Sequence, residues 1–182
     1  MENWTKHTLD LSPTHSWKAK PGHNIVVIDR GAVRFQVPQN WIVKPDDDSI
    51  KILDREPPDD DCRIAASHQT AFMEFATVPL ATMVELATRN DERPVHTWLD
   101  VHEFSRLGLQ AAWREMRFVD EAEKREAIAK LCIGRRGGVH GLITMEFWES
   151  DSELFRPVWD TVLETLEIGE PVADPLIGPP VH

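Results

Sequence analysis

Histidines and carboxylates are the residues of this chain best suited to chemistry, and their spacing limits what chemistry they could do. His140 and Glu146 lie six residues apart in a stretch of alternating apolar residues, so they share one face of a strand and could form an acid–base pair in a pocket. His68 is a third candidate of the same kind. Its neighbour Ser67 is no nucleophile elbow, and sequence adjacency does not make a triad, which is assembled in space. His96 and His102 flank the segment HTWLDVH. In a strand they would share a face; in a helix they would point well apart. With Asp100 or Glu103 they could hold a metal, but a zinc site needs three or four converging ligands.

Two aspartate runs, Asp46–Asp48 and Asp59–Asp61, could attract a hard cation. Neither has the alternating oxygen ligands and turn glycine of a calcium loop, so solvated loop acids are expected. The run Gly134–Gly138 (GRRGG) has the composition of a phosphate cradle. Such cradles lead from a strand into a helix N-terminus, whereas this one joins two strands and reads as a hairpin turn. Arg135 and Arg136 beside it are then exposed turn charges. No constellation survives as a catalytic, cofactor or metal site, and none is expected.

The elements that would position these residues are clearest in the last third. Apolar residues recur at every second position in Glu126–Arg136 and Val139–Glu149, as in two paired strands, with Gly137 and Gly138 supplying the positive φ of a tight turn. After Glu149 the period becomes helical: Phe155, Val158, Trp159, Val162 and Leu166 form one stripe. Ser150 and Glu153 have the spacing of a capping box. Pro157 belongs in a first turn, and Gly169 followed by Pro171 is the expected helix stop. Earlier in the chain, Asn24–Asp29, Ala32–Val37, Trp41–Val43, Ser49–Asp54 and Cys62–Ser67 read as a meander of short strands. Pro79–Arg89 reads as a helix with Leu80, Met83, Val84 and Ala87 on one face. Val95–Gln110 is ambiguous: it could be a helix carrying Trp98, Val101 and Ser105 inward, although Gly108 argues against one. Ala112–Val119 is a strand. These elements specify an α+β protein, an antiparallel β-sheet with helices packed on it. Residues 1–23 read as an N-terminal arm, 24–169 as a single domain and 170–182 as a proline-rich C-terminal tail.

Composition narrows the partners. Of the 182 residues 41% are hydrophobic and 28% charged, ordinary values for a globular domain. Pro45–Asp61 carries eight acids and two bases, and Met145–Glu170 eight acids and one base, so these segments exceed the whole net charge of −11. Such a chain is a poor ligand for nucleic acid or an anionic membrane, and a basic protein is the complementary partner. No apolar run reaches the ~20 residues that span a bilayer. The start, MENWTKHTLDLSPTHSWKAK, lacks the pattern of a secretory signal, so a cytoplasmic protein is expected. Cys62 and Cys132 both fall in strands and read as reduced core residues. Among seven Trp, those at 41, 113, 148 and 159 read as core, while Trp4, Trp17 and Trp98 could pin the arm or anchor a partner.

The segment VRFQVPQNWIVKP, with Phe35, Pro38 and Trp41, resembles the opening of the Mog1/PsbP-like α/β/α sandwich group. IAKLCIGRRGGVHGLITMEFW followed by FRPVWDTVLETLEI is similar to that group's final hairpin and closing helix, carried here by Gly137 and the Phe155–Pro157–Trp159 helix start. The resemblance implies a Mog1/PsbP-like α/β/α sandwich and a non-enzymatic, protein-binding accessory or chaperone-like module. Two alternatives stay open from the residues themselves. One is a small hydrolase or isomerase using His68, His140 and Glu146. The other is a small-ligand carrier with an apolar cavity between sheet and helix.

Overall fold

The computed structural model describes residues 4–70 and 77–178. Eight strands form a large antiparallel sheet: β3 (Ile42–Pro45), β4 (Ile50–Leu53), β5 (Cys62–Thr70), β6 (Val95–Trp98), β7 (His102–Arg106), β8 (Leu109–Asp120), β9 (Arg125–Arg136) and β10 (Val139–Trp148). Their order across the sheet is β3-β4-β5-β10-β9-β8, and both β6 and β7 pair with β8. A second, three-stranded sheet consists of β1 (His23–Ile28), β2 (Val33–Pro38) and β11 (Glu167–Ile168). The expected meander is therefore divided: its first hairpin leaves to build the small sheet, and β3, β4 and β5 remain neighbours in the large one.

The large sheet is covered on both faces. On one, α2 (Ser152–Thr165) and the small sheet bury Ile128, Cys132, Ile143, Met145 and Phe147 against Phe35, Phe155, Trp159 and Val162. On the other, α1 (Leu80–Arg89) seats Leu80 and Val84 on Ala112 and Ile133. This is a three-layer α+β sandwich, as expected. The close approach of the layers needs small residues. Gly141, Gly134 and Ala111 lie side by side across β10, β9 and β8. A Cβ on Gly134 would stand 2.6 Å from Ile168 Cδ1, so the glycine row is the seat of β11.

Several local expectations need correction. Val95–Gln110 contains two strands and no helix; Trp98 and Ser105 are exposed. The 12 residues of β8 offer a long edge that β6 and β7 share in turn, and the Leu107–Gly108 turn, with φ of 46° and 84°, closes the β7–β8 hairpin. The buried face of α1 is Leu80, Val84 and Thr88, with Ala87 exposed, and Pro79 stands just before the first turn. No capping box forms at α2. A 3-10 turn, Glu149–Asp151, precedes the helix, so Ser150 bonds to Asp151 and not to the helix amides. Pro157 accordingly lies inside the helix, on its exposed side. Gly169 does not stop the helix; it follows β11 at φ 69°, against the Arg136 carbonyl.

The hairpin at Gly137–Gly138 forms as expected, with both φ positive. Cys62 and Cys132 are free and buried. Burial pushes the Cys132 thiol up to about 12, and Cys62 higher still. The arm is anchored to the body: Trp17 is buried beneath the Arg34 guanidinium, 4.5 Å from its ring centre, and Lys20 pairs with Glu164 at 2.6 Å. The His15 ring bonds to the Pro175 carbonyl at 3.0 Å, so arm and tail meet. No helix among the described residues is long and apolar enough to cross a membrane.

Candidate functional site

The residues singled out for acid–base chemistry do not converge. His140 and Glu146 share a face of β10 as expected, but six residues of strand separate them by about 20 Å. His68 projects from the opposite face, 3.6 Å from Asp29 and beside Trp4. Glu146 is engaged by Arg93, which also holds Asp91. His140 is buried beside Arg135, and burial followed by that neighbouring charge lowers its pKa, which keeps the ring neutral. The proposed metal group is also dispersed. His96 bonds to Glu126 at 3.0 Å, whereas His102 on another strand stacks on Trp113 at 4.7 Å. In the aspartate runs, Asp46 pairs with Lys51, Asp60 with Arg63 and Asp61 with Arg55.

The deepest charged cluster is one that the sequence reading passed over. Glu115 on β8 and Lys130 on β9 are direct cross-strand partners, almost wholly buried beneath α2. The Glu115 carboxylate accepts two hydrogen bonds from Arg156 of α2, at 2.7 and 3.0 Å, and lies 3.4 Å from Lys130 Nζ. That ammonium sits over the rings of Trp113 and Trp159, 5.1 and 5.8 Å from their centres. Burial works to raise the Glu115 pKa, but the Arg156 bonds and the Lys130 charge outweigh it and hold it below the usual range. Burial lowers the Lys130 pKa, and Glu115 offsets part of that effect. The two groups satisfy one another through Arg156 and the cross-strand contact, an arrangement that fixes α2 on the sheet. The signal was in the register: Glu115 follows Leu109, Ala111 and Trp113 on the inward side of β8, and Lys130 stands between inward Ile128 and Cys132.

Concave surface lies elsewhere. A groove of about 350 Å³ runs between β7 and the C-terminal half of α2, lined by Phe104, Ser105, Arg106, Leu163 and Glu164. Arg106 spans it, donating to the carbonyls of Leu163 at 2.8 Å and Leu166 at 2.5 Å, where α2 ends with unpaired acceptors. A broader cleft of about 510 Å³, with Glu92, Asp120, Glu121 and Glu146 around Phe118 and Arg93, opens at the acidic end of the sheet. Neither brings together a nucleophile, a base and an orienting partner.

The sequence pattern of the Alr1449 family matches residues 24–172. The chain belongs to the Alr1449 family. An uncharacterised relative, alr1449 of Nostoc sp. strain PCC 7120, is 39% identical over 177 residues, covering 96% of this chain and 92% of the relative. Among solved structures the family fold is similar to cyanobacterial PsbP (CyanoP) of Synechocystis sp. PCC 6803, at TM-score 0.60 and 14% identity, covering 87% of this chain and all of that one. It is also similar to PA94, a protein of unknown function from Pseudomonas aeruginosa, at TM-score 0.50 and 14% identity, covering 82% and 99%. At these identities the likeness establishes the fold, and it bears out the Mog1/PsbP-like resemblance read from the two ends of the domain.

Proposed function

We propose that this Alr1449-family chain is a non-enzymatic accessory module that binds another protein, in the cytoplasm, through its surface. The observation that carries this reading is the disposition of its charges. Among the described residues the buried charges of the Glu115 cluster are paired with one another, while acids outnumber bases on the Pro45–Asp61 loops and from Met145 to Glu170. A surface with acid in excess, and no convergent acid–base set among the described residues, suits recognition of a basic partner better than turnover of a small molecule. The separation of His68, His140 and Glu146 supports the same reading against the hydrolase alternative. The large aromatic side chains filling the space between sheet and α2 support it against a ligand carrier.

The experiment is affinity capture of the tagged full chain from native lysate at low and high salt, read by mass spectrometry. A stoichiometric protein partner, released as salt rises, is the expected result. Absence of any partner at both salts would overturn the reading.

A further inference from the structure

The two edges of the large sheet are built differently. The β3 edge is four residues long, carries Lys44 and ends in Pro45, features that blunt an edge against further pairing. At the other edge β6 is interrupted by a bulge between Val95 and Thr97, but β7 runs regularly for five residues. Its inner side is taken by β8 from His102 to Arg106, and no strand among the described residues pairs with its outer side. Every second residue of such a strand turns its N–H and C=O outward. Directly alongside lies the groove floored by Phe104, with Leu163 and Glu164 of α2 as its far wall.

Two further observations bear on what covers this edge. Glu103 is exposed on the face of β7 turned away from Phe104, and Asp160 and Glu164 are exposed on one side of α2, so acids stand on both faces of this edge. Of the cations nearby, Arg106 is committed to the end of α2, and Lys20 makes a solvent-exposed pair with Glu164 that a competing cation can replace at little cost. At the tip of the hairpin, Leu107 is 82% exposed and holds φ 46°, a conformation that glycine or asparagine adopts with less strain. A bulky apolar side chain kept exposed in a strained turn, continuous with an open strand, is the pattern of a recognition feature.

We propose that β7 and the groove beside it receive an extended segment of a partner protein in which apolar and basic residues alternate. The segment adds a strand to the sheet by backbone pairing with β7. Its apolar side chains enter the groove over Phe104 and cover Leu107, its alternate Lys or Arg side chains meet Glu103 on the other face of the sheet, and Glu164 at the groove rim meets a basic residue flanking the segment. The inference rests on the accessory reading above and names the surface that reading lacks.

The test is selection of a random dodecapeptide phage library on the immobilised full-length chain, followed by fluorescence anisotropy with the enriched peptide synthesised and labelled. Enrichment of alternating apolar and basic peptides is expected, with affinity falling at least tenfold on Phe104→Ala and on Glu103→Lys. Leu107→Asn should weaken binding severalfold while leaving the fold intact or firmer, which separates lost recognition from lost folding. Enriched peptides that bind all three variants as well as the parent would overturn this site and leave the accessory reading standing. Failure to enrich any peptide would overturn the site as well, with affinity capture then deciding the broader reading. Concentration-dependent dimerisation in sedimentation, abolished by Glu103→Lys, would overturn it in favour of a second copy of the chain on β7.

Discussion

Glu115→Gln should be among the most damaging single changes to this fold. It leaves the size of the side chain almost unchanged but removes the acid that, among the described residues, pairs directly with Lys130 and Arg156 beneath α2. Lys130 cannot retreat to water, since it is almost wholly buried over two tryptophan rings, whereas Arg156 can turn its partly exposed guanidinium outward. Breaking a buried pair in this way costs about 3–5 kcal/mol, because a charge is left without compensation. With a urea m-value of roughly 2 kcal/mol/M for a domain of this size, the unfolding midpoint should fall by about 1.5–2.5 M. The pH dependence gives a second reading. Lys130 already has a folded pKa below its unfolded value, so the unfolded state binds the proton more tightly and stability rises with pH up to the unfolded value near 10.5. Loss of Glu115 widens that gap, and the penalty should shrink as pH is raised from 7 towards 10. In the parent, the depressed Glu115 pKa contributes stability that is full above the unfolded carboxylate value and is lost as pH falls through the folded one. A Glu115→Gln chain within about 0.5 kcal/mol of the parent at pH 7, or a penalty that grows with pH, would refute the buried-pair reasoning.

Three further outcomes follow from backbone geometry, each read by thermal or urea unfolding. Gly169→Ala should cost about 2 kcal/mol or more, since it combines positive φ with a Cβ placed 2.3 Å from the Arg136 carbonyl oxygen; an unchanged melt would contradict the seat described for β11. Leu107→Asn should stabilise by roughly 0.5–1 kcal/mol, raising Tm by about 1–4 °C, because asparagine tolerates the left-handed turn; destabilisation would mean that Leu107 packs rather than projects. Pro157→Ala should stabilise by about 1–3 kcal/mol, as the exposed ring denies the helix one hydrogen bond; a loss of stability would contradict that account of α2.

The parts of the fold that were legible in the sequence are those whose period is set by local burial. β9, β10 and their glycine turn read directly, because both faces of the hairpin alternate and the turn residues have one conformational use. The segment Val95–Gln110 did not read, because its strands lie at an edge. With one side open, His96, Thr97, Glu103 and Ser105 need not be apolar, and the alternation that marks a buried strand is lost. The division of the first strands between two sheets was equally hidden, since periodicity reports a buried face and says nothing of which neighbour buries it. The cluster around Glu115 was legible only once β8 and β9 were aligned. Each polar residue alone looks like an exposed interruption, and only the register Glu115↔Lys130 turns two interruptions into one pair. The candidate histidines misled for the opposite reason: a shared strand face gives direction without proximity, and His140 and Glu146 agree in the first while failing the second.

The position of α2 follows from polar contacts at two points along it as much as from its apolar stripe. Near its start, Arg156 is drawn to Glu115, two residues beyond Trp113 on β8; at its end, Arg106 of β7 takes the carbonyls of Leu163 and Leu166. An apolar stripe alone tolerates a small slide or rotation, since hydrophobic contact is not directional. Bidentate hydrogen bonds are directional, and two such anchors from adjacent strands leave the helix one axial position. The groove beside β7 is therefore set by the same contacts that complete the core. Its far wall cannot drift from its near wall without breaking the Arg106 bonds. A surface held open in this way loses little freedom when it is covered, so whatever occupies it meets a wall already in place rather than one it must order.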